Sequence, residues 1–270
     1  MAHNFLEIAA VTDVGNVRQF NEDTIATDAD LGLAILADGM GGHRAGEVAS
    51  QMATQIILSG LQTRVAEFGS DAGREAPLYA VEQSINRANT AIFDAAQGQS
   101  AYQGMGTTLA LALFYDNRVT LGHIGDSRIY RLRAHLLQLL TRDDSLLRDQ
   151  IEVGLIAAAD AGESHNRSLV TRALGIEQNV ATHLREEDAA PGDVFLLCSD
   201  GLNDLVEDAD IELIMSALDS NLPLAAGHLV QTAKDNGGYD NVSVILAKVL
   251  QPFPAVRRAR WVRRLFGWLG

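Results

Sequence analysis

The chain has 270 residues, 47% hydrophobic and 21% charged, and a formal net charge of −14. Such a length buries a large core, and an acid excess argues against nucleic acid as the main partner, because phosphate backbones are held by basic surfaces. The single cysteine, Cys198, excludes an internal disulfide and a cysteine-based zinc cluster.

Residues 5–12 alternate weakly between apolar and polar and predict a first strand. Asp13-Val14-Gly15-Asn16 reads as a turn. Arg18-Gln19-Phe20-Asn21-Glu22-Asp23 then places one guanidinium near two carboxylates, ahead of a short strand at 24–27. The apolar run 31–37 reads as a buried strand that ends on Asp38, followed by Gly39-Met40-Gly41-Gly42-His43. Val48, Ala49, Met52, Ile56 and Ile57 keep helical spacing over 45–61, and residues 69–73 break it. A second helix is predicted over 77–96, with Leu78, Val81, Ile85, Ala88 and Ile92 on one face, packed antiparallel to the first.

Strands are predicted at 107–114, 118–124 and 128–132, separated by Asp116-Asn117 and Gly125-Asp126, both read as hairpin turns. Residues 135–140 supply one more. The charged, alanine-rich stretch 141–175 reads as an excursion from the sheet, with a helix at 145–153. Strands resume at 180–185 and 193–198, helices follow at 208–218 and 224–236, and a last strand runs 242–249. Consecutive strands with short turns, and helices in pairs, predict an α+β fold of antiparallel sheets covered by helices.

Asp38, Asp126, Asp200 and Asp240 each stand beside an apolar run. Asp-Gly turns account for any one of them. Their recurrence suits a site that gathers oxygen ligands around hard cations. The chain also carries, in order, Arg18 with Asn21-Glu22-Asp23, Ala37-Asp38-Gly39-Met40-Gly41-Gly42-His43, Gly104-Met105-Gly106-Thr107-Thr108-Leu109, His123-Ile124-Gly125-Asp126-Ser127-Arg128, Leu197-Cys198-Ser199-Asp200-Gly201-Leu202 and Asp240-Asn241. This series resembles the metal-dependent protein serine/threonine phosphatases, the protein phosphatase 2C family, in compact bacterial form, over about residues 5–249.

The resemblance implies a four-layer α-β-β-α sandwich of two antiparallel sheets flanked by helix pairs. It implies two Mn²⁺ or Mg²⁺ ions, ions that carboxylates, carbonyls and waters suit. Asp38 would bridge them, Asp200 and Asp240 would complete one, the Gly39 carbonyl would serve the other, and Asp126 would bind a third. Arg18 would clamp phosphate, its alternative being a surface ion pair with Glu22 or Asp23. Glu22 would hold metal-bound water. His43 is a candidate proton donor or a structural loop histidine. Asp204 would orient a metal water or cap the next helix. Residues 141–175 correspond to a flap, with Ser164, His165 and Ser168 as polar candidates. His123 and Cys198, within apolar runs, read as core residues.

The function implied is hydrolysis of phosphoserine and phosphothreonine in proteins, opposing a bacterial Ser/Thr kinase, by a monomer. The alternatives are an inactive phosphoprotein-binding scaffold and a hydrolase of small phosphoesters. The N-terminus lacks the basic and apolar regions of a secretory signal, and no run approaches the ~20 apolar residues of a spanning helix. A cytoplasmic protein is expected. The catalytic domain is expected to cover 1–250. Residues 251–270 differ: they carry Arg257, Arg258, Arg260, Arg263 and Arg264 without an acid, leaving the rest at −19, the −14 of the whole less these five positive charges. With Val256, Val262, Leu265, Phe266, Trp261 and Trp268 interspersed, the tail reads as a basic amphipathic helix. An anionic membrane surface, the acidic body or a partner protein would each suit it, and simple disorder is the remaining alternative.

Overall fold

The structure is a computed structural model and describes residues 5–42, 45–66, 75–156 and 169–254. One sheet has five strands in the order β1 (Leu6–Asp13), β11 (Val242–Val249), β10 (Val194–Cys198), β7 (Arg128–Arg133) and β8 (Leu136–Leu139). The other has the order β2 (Asp23–Asp28), β3 (Leu33–Met40), β5 (Leu109–Tyr115), β6 (Arg118–Ile124) and β9 (His183–Asp188), with β4 (Gly106–Thr107) pairing to β3. Every ladder is antiparallel.

Burial on both faces explains the continuous apolar runs. In β3, Leu33, Ile35 and Ala37 face α1 (Ala45–Ala66) and α2 (Ala76–Gly98), while Ala34 and Leu36 join the core between the sheets. In β10, Phe195 and Leu197 take that middle core. Leu196 and Cys198 pack outward beneath α5 (Asp208–Ala217) and α6 (Leu222–Asp235). The result is the expected α-β-β-α sandwich.

Several expectations change. The strand predicted to end at Asp38 continues to Met40, because Gly39 and Met40 pair with Thr107 and Gly106. Gly125-Asp126 makes no hairpin: β6 and β7 lie in different sheets, so this is a crossover. Asp116 and Asn117, at φ 53° and 58°, do form the two-residue turn between β5 and β6. Ala134 and His135, at φ 51° and 62°, make a similar turn without a turn-type residue, so β8 begins at Leu136. The strand expected at 180–185 is displaced to His183–Asp188, an acidic edge strand. A short helix, α4 (Asp200–Asn203), follows β10 unannounced. The predicted helix at 145–153 is α3 (Leu146–Glu152), capped by Ser145, whose side chain accepts from the Arg148 N–H.

Candidate metal centre

Asp38 lies near the end of β3, and its backbone is fixed on both sides. The Thr108 N–H and the Thr107 hydroxyl donate to the Asp38 carbonyl, both at 2.8 Å, and the Asp38 N–H donates to Thr108 Oγ1 at 3.1 Å. Thr108 Oγ1 also lies 2.7 Å from Ser127 Oγ, which ties β3 to the crossover carrying Asp126. The Gly-Thr-Thr motif therefore positions Asp38.

Asp23, at the start of β2, stands opposite Asp38 in register. Its Oδ2 accepts from Ser199 Oγ at 2.8 Å, and this bond crosses from one sheet to the other. Asp200 opens α4 directly after β10, and Asp240 sits before β11, the strand that pairs with β10. Sheet topology thus brings all these carboxylates to one end of the sandwich.

Their charges act on one another. Burial first, then the charges of Asp23, Asp200, Asp126 and Asp240, hold the Asp38 carboxyl well above the usual carboxylate range. Burial, then Asp126, Asp240, Asp204 and Asp23, does the same to Asp200. Burial and then Asp143 push Asp126 up to about 7. Burial pushes Asp23 up to about 6, against hydrogen bonds from Ser243 and Ser199. Asp38 and Asp200 keep part of their surface open at the mouth although dense protein surrounds them. Asp23 Oδ1 and Asp200 Oδ1 are buried and unpartnered among the described residues.

Arg18 donates to Asp240 Oδ2 at 2.6 Å, so its ion-pair partner is neither Glu22 nor Asp23. Burial works against its charge, and the Asp240 hydrogen bond together with the charges of Asp240, Asp200 and Glu22 outweighs it, so its pKa rises. Burial raises the Glu22 pKa, and Arg18 partly counteracts it. Asn241 Oδ1 accepts from the Glu22 N–H at 2.8 Å, a positioning role that sequence reasoning did not single out. Gly39 is required by space. A Cβ there would collide with the Gly46 carbonyl at the start of α1.

Hard oxygen donors with unpartnered atoms, mutually raising one another's pKa values, fit divalent cations of the Mg²⁺ or Mn²⁺ type. The carboxylates are gathered, not closed. Among the described residues no three acidic, histidine or cysteine side chains converge to metal-holding spacing, and the Asp240 side chain is turned to Arg18.

The remaining candidates separate. Asp204 ends α4, where its N–H donates to the Asp200 carbonyl at 2.8 Å. Cys198 is fully buried, and burial pushes its thiol up to about 12. His123 is a core residue: its Nε2 lies 2.8 Å from the Ser127 carbonyl, and burial lowers it to about 4. His43, Ser164, His165, Ser168 and tail residues 255–270 lie outside the described residues. At the root of the predicted flap, Arg128 grips Asp143 with Nε and Nη2, and Asp144 accepts from the Gly125 N–H and Arg172.

A family model described as Protein phosphatase 2C matches residues 16–226. The chain is 41% identical over 247 residues to Serine/threonine protein phosphatase PstP of Mycobacterium tuberculosis, covering 91% of this chain and 45% of that protein. It therefore spans less than half of that relative. With Serine/threonine phosphatase stp of Listeria monocytogenes it shares 35% identity over 240 residues, 88% of this chain and 93% of that one. A crystal structure of the M. tuberculosis PstP/Ppp phosphatase superposes with a TM-score of 0.82 at 37% identity, covering 91% of this chain and 99% of that chain. A structure of the PstP catalytic domain in complex with 2 manganese ions has a TM-score of 0.79 at 37% identity, with the same coverage. By the extent of these matches, and by a sandwich that gathers aspartates at one end, the chain belongs to the protein phosphatase 2C family.

Proposed function

We propose that this chain hydrolyses phosphoserine and phosphothreonine in proteins, at two Mn²⁺ or Mg²⁺ ions held by Asp38, Asp200, Asp240 and the Gly39 carbonyl. Asp126 would take a third ion. The observation that carries this reading is the set of mutually perturbed, partly unpartnered aspartates beside an arginine at one mouth. Bound there, divalent cations supply an activated water and neutralise the phosphoryl oxygens.

Arg18, a planar fork of donors, grips the phosphoryl group and orients it. Glu22 holds the attacking water, and Asn241 fixes the Glu22 backbone. The oxygen of water bonds to phosphorus while the bond to the serine or threonine oxygen breaks, and that oxygen takes a proton. His43 is the candidate donor. Cys198 is excluded as a nucleophile by burial and its raised pKa, so no phosphocysteine forms.

The substrates would be phosphoproteins, which the names of the relatives support, and a Ser/Thr kinase would supply them. We take residues 1–250 as a catalytic domain with 141–175 as its flap, acting as a monomer. The tail, 251–270, would rest on an anionic membrane surface, a reading supported by its arginines and tryptophans. Among the described residues no helix is long and apolar enough to cross a membrane.

The decisive experiment is Mn²⁺-dependent release of phosphate from a phosphothreonine peptide. Asp38→Asn should lose more than about 100-fold, since even outer-shell changes at metal sites cost roughly 10–100-fold. Near-normal turnover of that variant at saturating Mn²⁺ would overturn the assignment.

A further inference from the structure

The loop between β1 and β2 is locked to the loop before β11. The Asn16 N–H donates to the Gly238 carbonyl at 2.8 Å, and Asn16 Nδ2 donates to the Lys234 and Gly237 carbonyls at 2.7 and 3.1 Å. From the other side, Asn241 Nδ2 donates to the Val14 and Phe20 carbonyls at 3.0 and 2.9 Å. Gly15, at φ 78°, comes so close that a Cβ would collide with the Asp240 carbonyl. Arg18 and Asp240 close the lock through their side chains.

This rigid frame carries large apolar side chains to the surface. Val17 is 62% exposed, Phe20 46% and Tyr239 65%. Val17 directly precedes Arg18, Phe20 lies two residues after it, and Tyr239 directly precedes Asp240. The Tyr239 ring is held against the backbone: a Cβ on Gly237 would stand 2.6 Å from its Cε2. Single exposed apolar residues are ordinary. Here they sit on the locked loops that carry Arg18 and Asp240, beside the acidic cluster.

We propose that Val17, Phe20 and Tyr239 form a specificity rim. It selects phosphorylated segments with an aliphatic or aromatic side chain within two residues of the phosphoserine or phosphothreonine. This inference rests on the protein-phosphatase reading above. With the phosphoryl group on Arg18, an extended segment advances about 3.3 Å per residue, and consecutive Cα atoms on the rim are about 3.8 Å apart. Val17 stands one position from Arg18, Phe20 two and Tyr239 one from Asp240, so residues within two positions of the phosphorylated one come within reach of the rim. Contact there removes apolar surface from water on both partners, which a polar flank does not do.

The test uses two phosphothreonine peptides that differ only in having leucine or serine at the flanking positions, with the full chain and Mn²⁺. The kcat/KM ratio of leucine to serine peptide should be roughly fivefold, a fraction of what a closed apolar pocket yields. In the Val17→Ser, Tyr239→Ser double variant the ratio should fall close to one. Rates are normalised to turnover of p-nitrophenyl phosphate by the same protein, which monitors the metal centre. Equal cleavage of both peptides by the unaltered chain, or a ratio that survives the double substitution, would overturn the rim alone. Hydrolysis of p-nitrophenyl phosphate with neither peptide cleaved would overturn the protein-phosphatase reading, and the rim with it.

Discussion

At the scale of residues, the buried carboxylates set a pH dependence whose sign is fixed. In an unfolded chain aspartate titrates near about 3.9, whereas burial brings folded Asp23 to about 6 and Asp126 to about 7. Between those values the folded state binds more protons than the unfolded state, so stability falls as pH rises. In a chelator, Tm should climb as pH is lowered from about 8 to about 5, and saturating Mn²⁺ should flatten the curve by taking over the neutralisation. Scanning fluorimetry across pH measures this. A chelated protein whose Tm is level over that range would contradict the raised carboxyl pKa values of Asp23 and Asp126. Asp38, Asp126, Asp200 and Asp240 were legible because each stands beside an apolar run. Asp23 was not. It follows Asn21 and Glu22 in a polar run, and only the pairing of β2 with β3 sets it opposite Asp38. The partner of Arg18 was equally hidden, 222 positions away in sequence.

At the scale of elements, the contact between the end of β3 and the start of α1 admits glycine alone. A Cβ on Gly46 would stand 2.7 Å from the Gly39 carbonyl carbon and oxygen. Glycine to alanine in a helix ordinarily stabilises by up to about 1 kcal/mol. Here overpacking reverses the sign, and Gly46→Ala should cost roughly 1–3 kcal/mol. It should also impair Mn²⁺-dependent turnover, because Gly39 must shift. Gly227, exposed in α6 with nothing within 4 Å of an added Cβ, is the control, and alanine there should stabilise. Urea unfolding of both variants reads the contrast, and two stabilised proteins would refute the steric argument. Most elements were readable from period and punctuation, but pairing was not. Gly125-Asp126 announces a turn without saying to which sheet the chain returns. The β9 strand hides because its edge position tolerates Glu186, Glu187 and Asp188. Ala134 and His135 turn without the residues that usually mark one.

At the scale of the molecule, the boundary between body and tail can be cut in two places. Phe253 stacks on Phe5 with ring centroids 4.6 Å apart, and its N–H donates to Asn117 Oδ1 at 2.7 Å. A chain ending at 254 keeps that packing, whereas one ending at 250 loses it and should melt several degrees lower, roughly the shift that 1 kcal/mol brings in a chain this long. Anionic vesicles then test the tail. The full chain should sediment with them, less so at high salt, while the 1–254 chain stays in the supernatant with its turnover intact. Equal sedimentation would leave docking on the acidic body or a protein partner as the tail's role. The pairing of β1 with β11, from Leu6 opposite Val249 to Asp13 opposite Val242, has a consequence in time. Among the described residues β11 is the only strand partner of β1, so β1 stays without a strand partner until β11 has been made. Asp240 arrives just ahead of β11, and the lock on Arg18 arrives with it. A chain that lacks β11 therefore cannot bring Asp240 to Arg18. The proposed centre therefore assembles in a single step, once β11 has been made and paired, while the nascent β1 edge stays open until then.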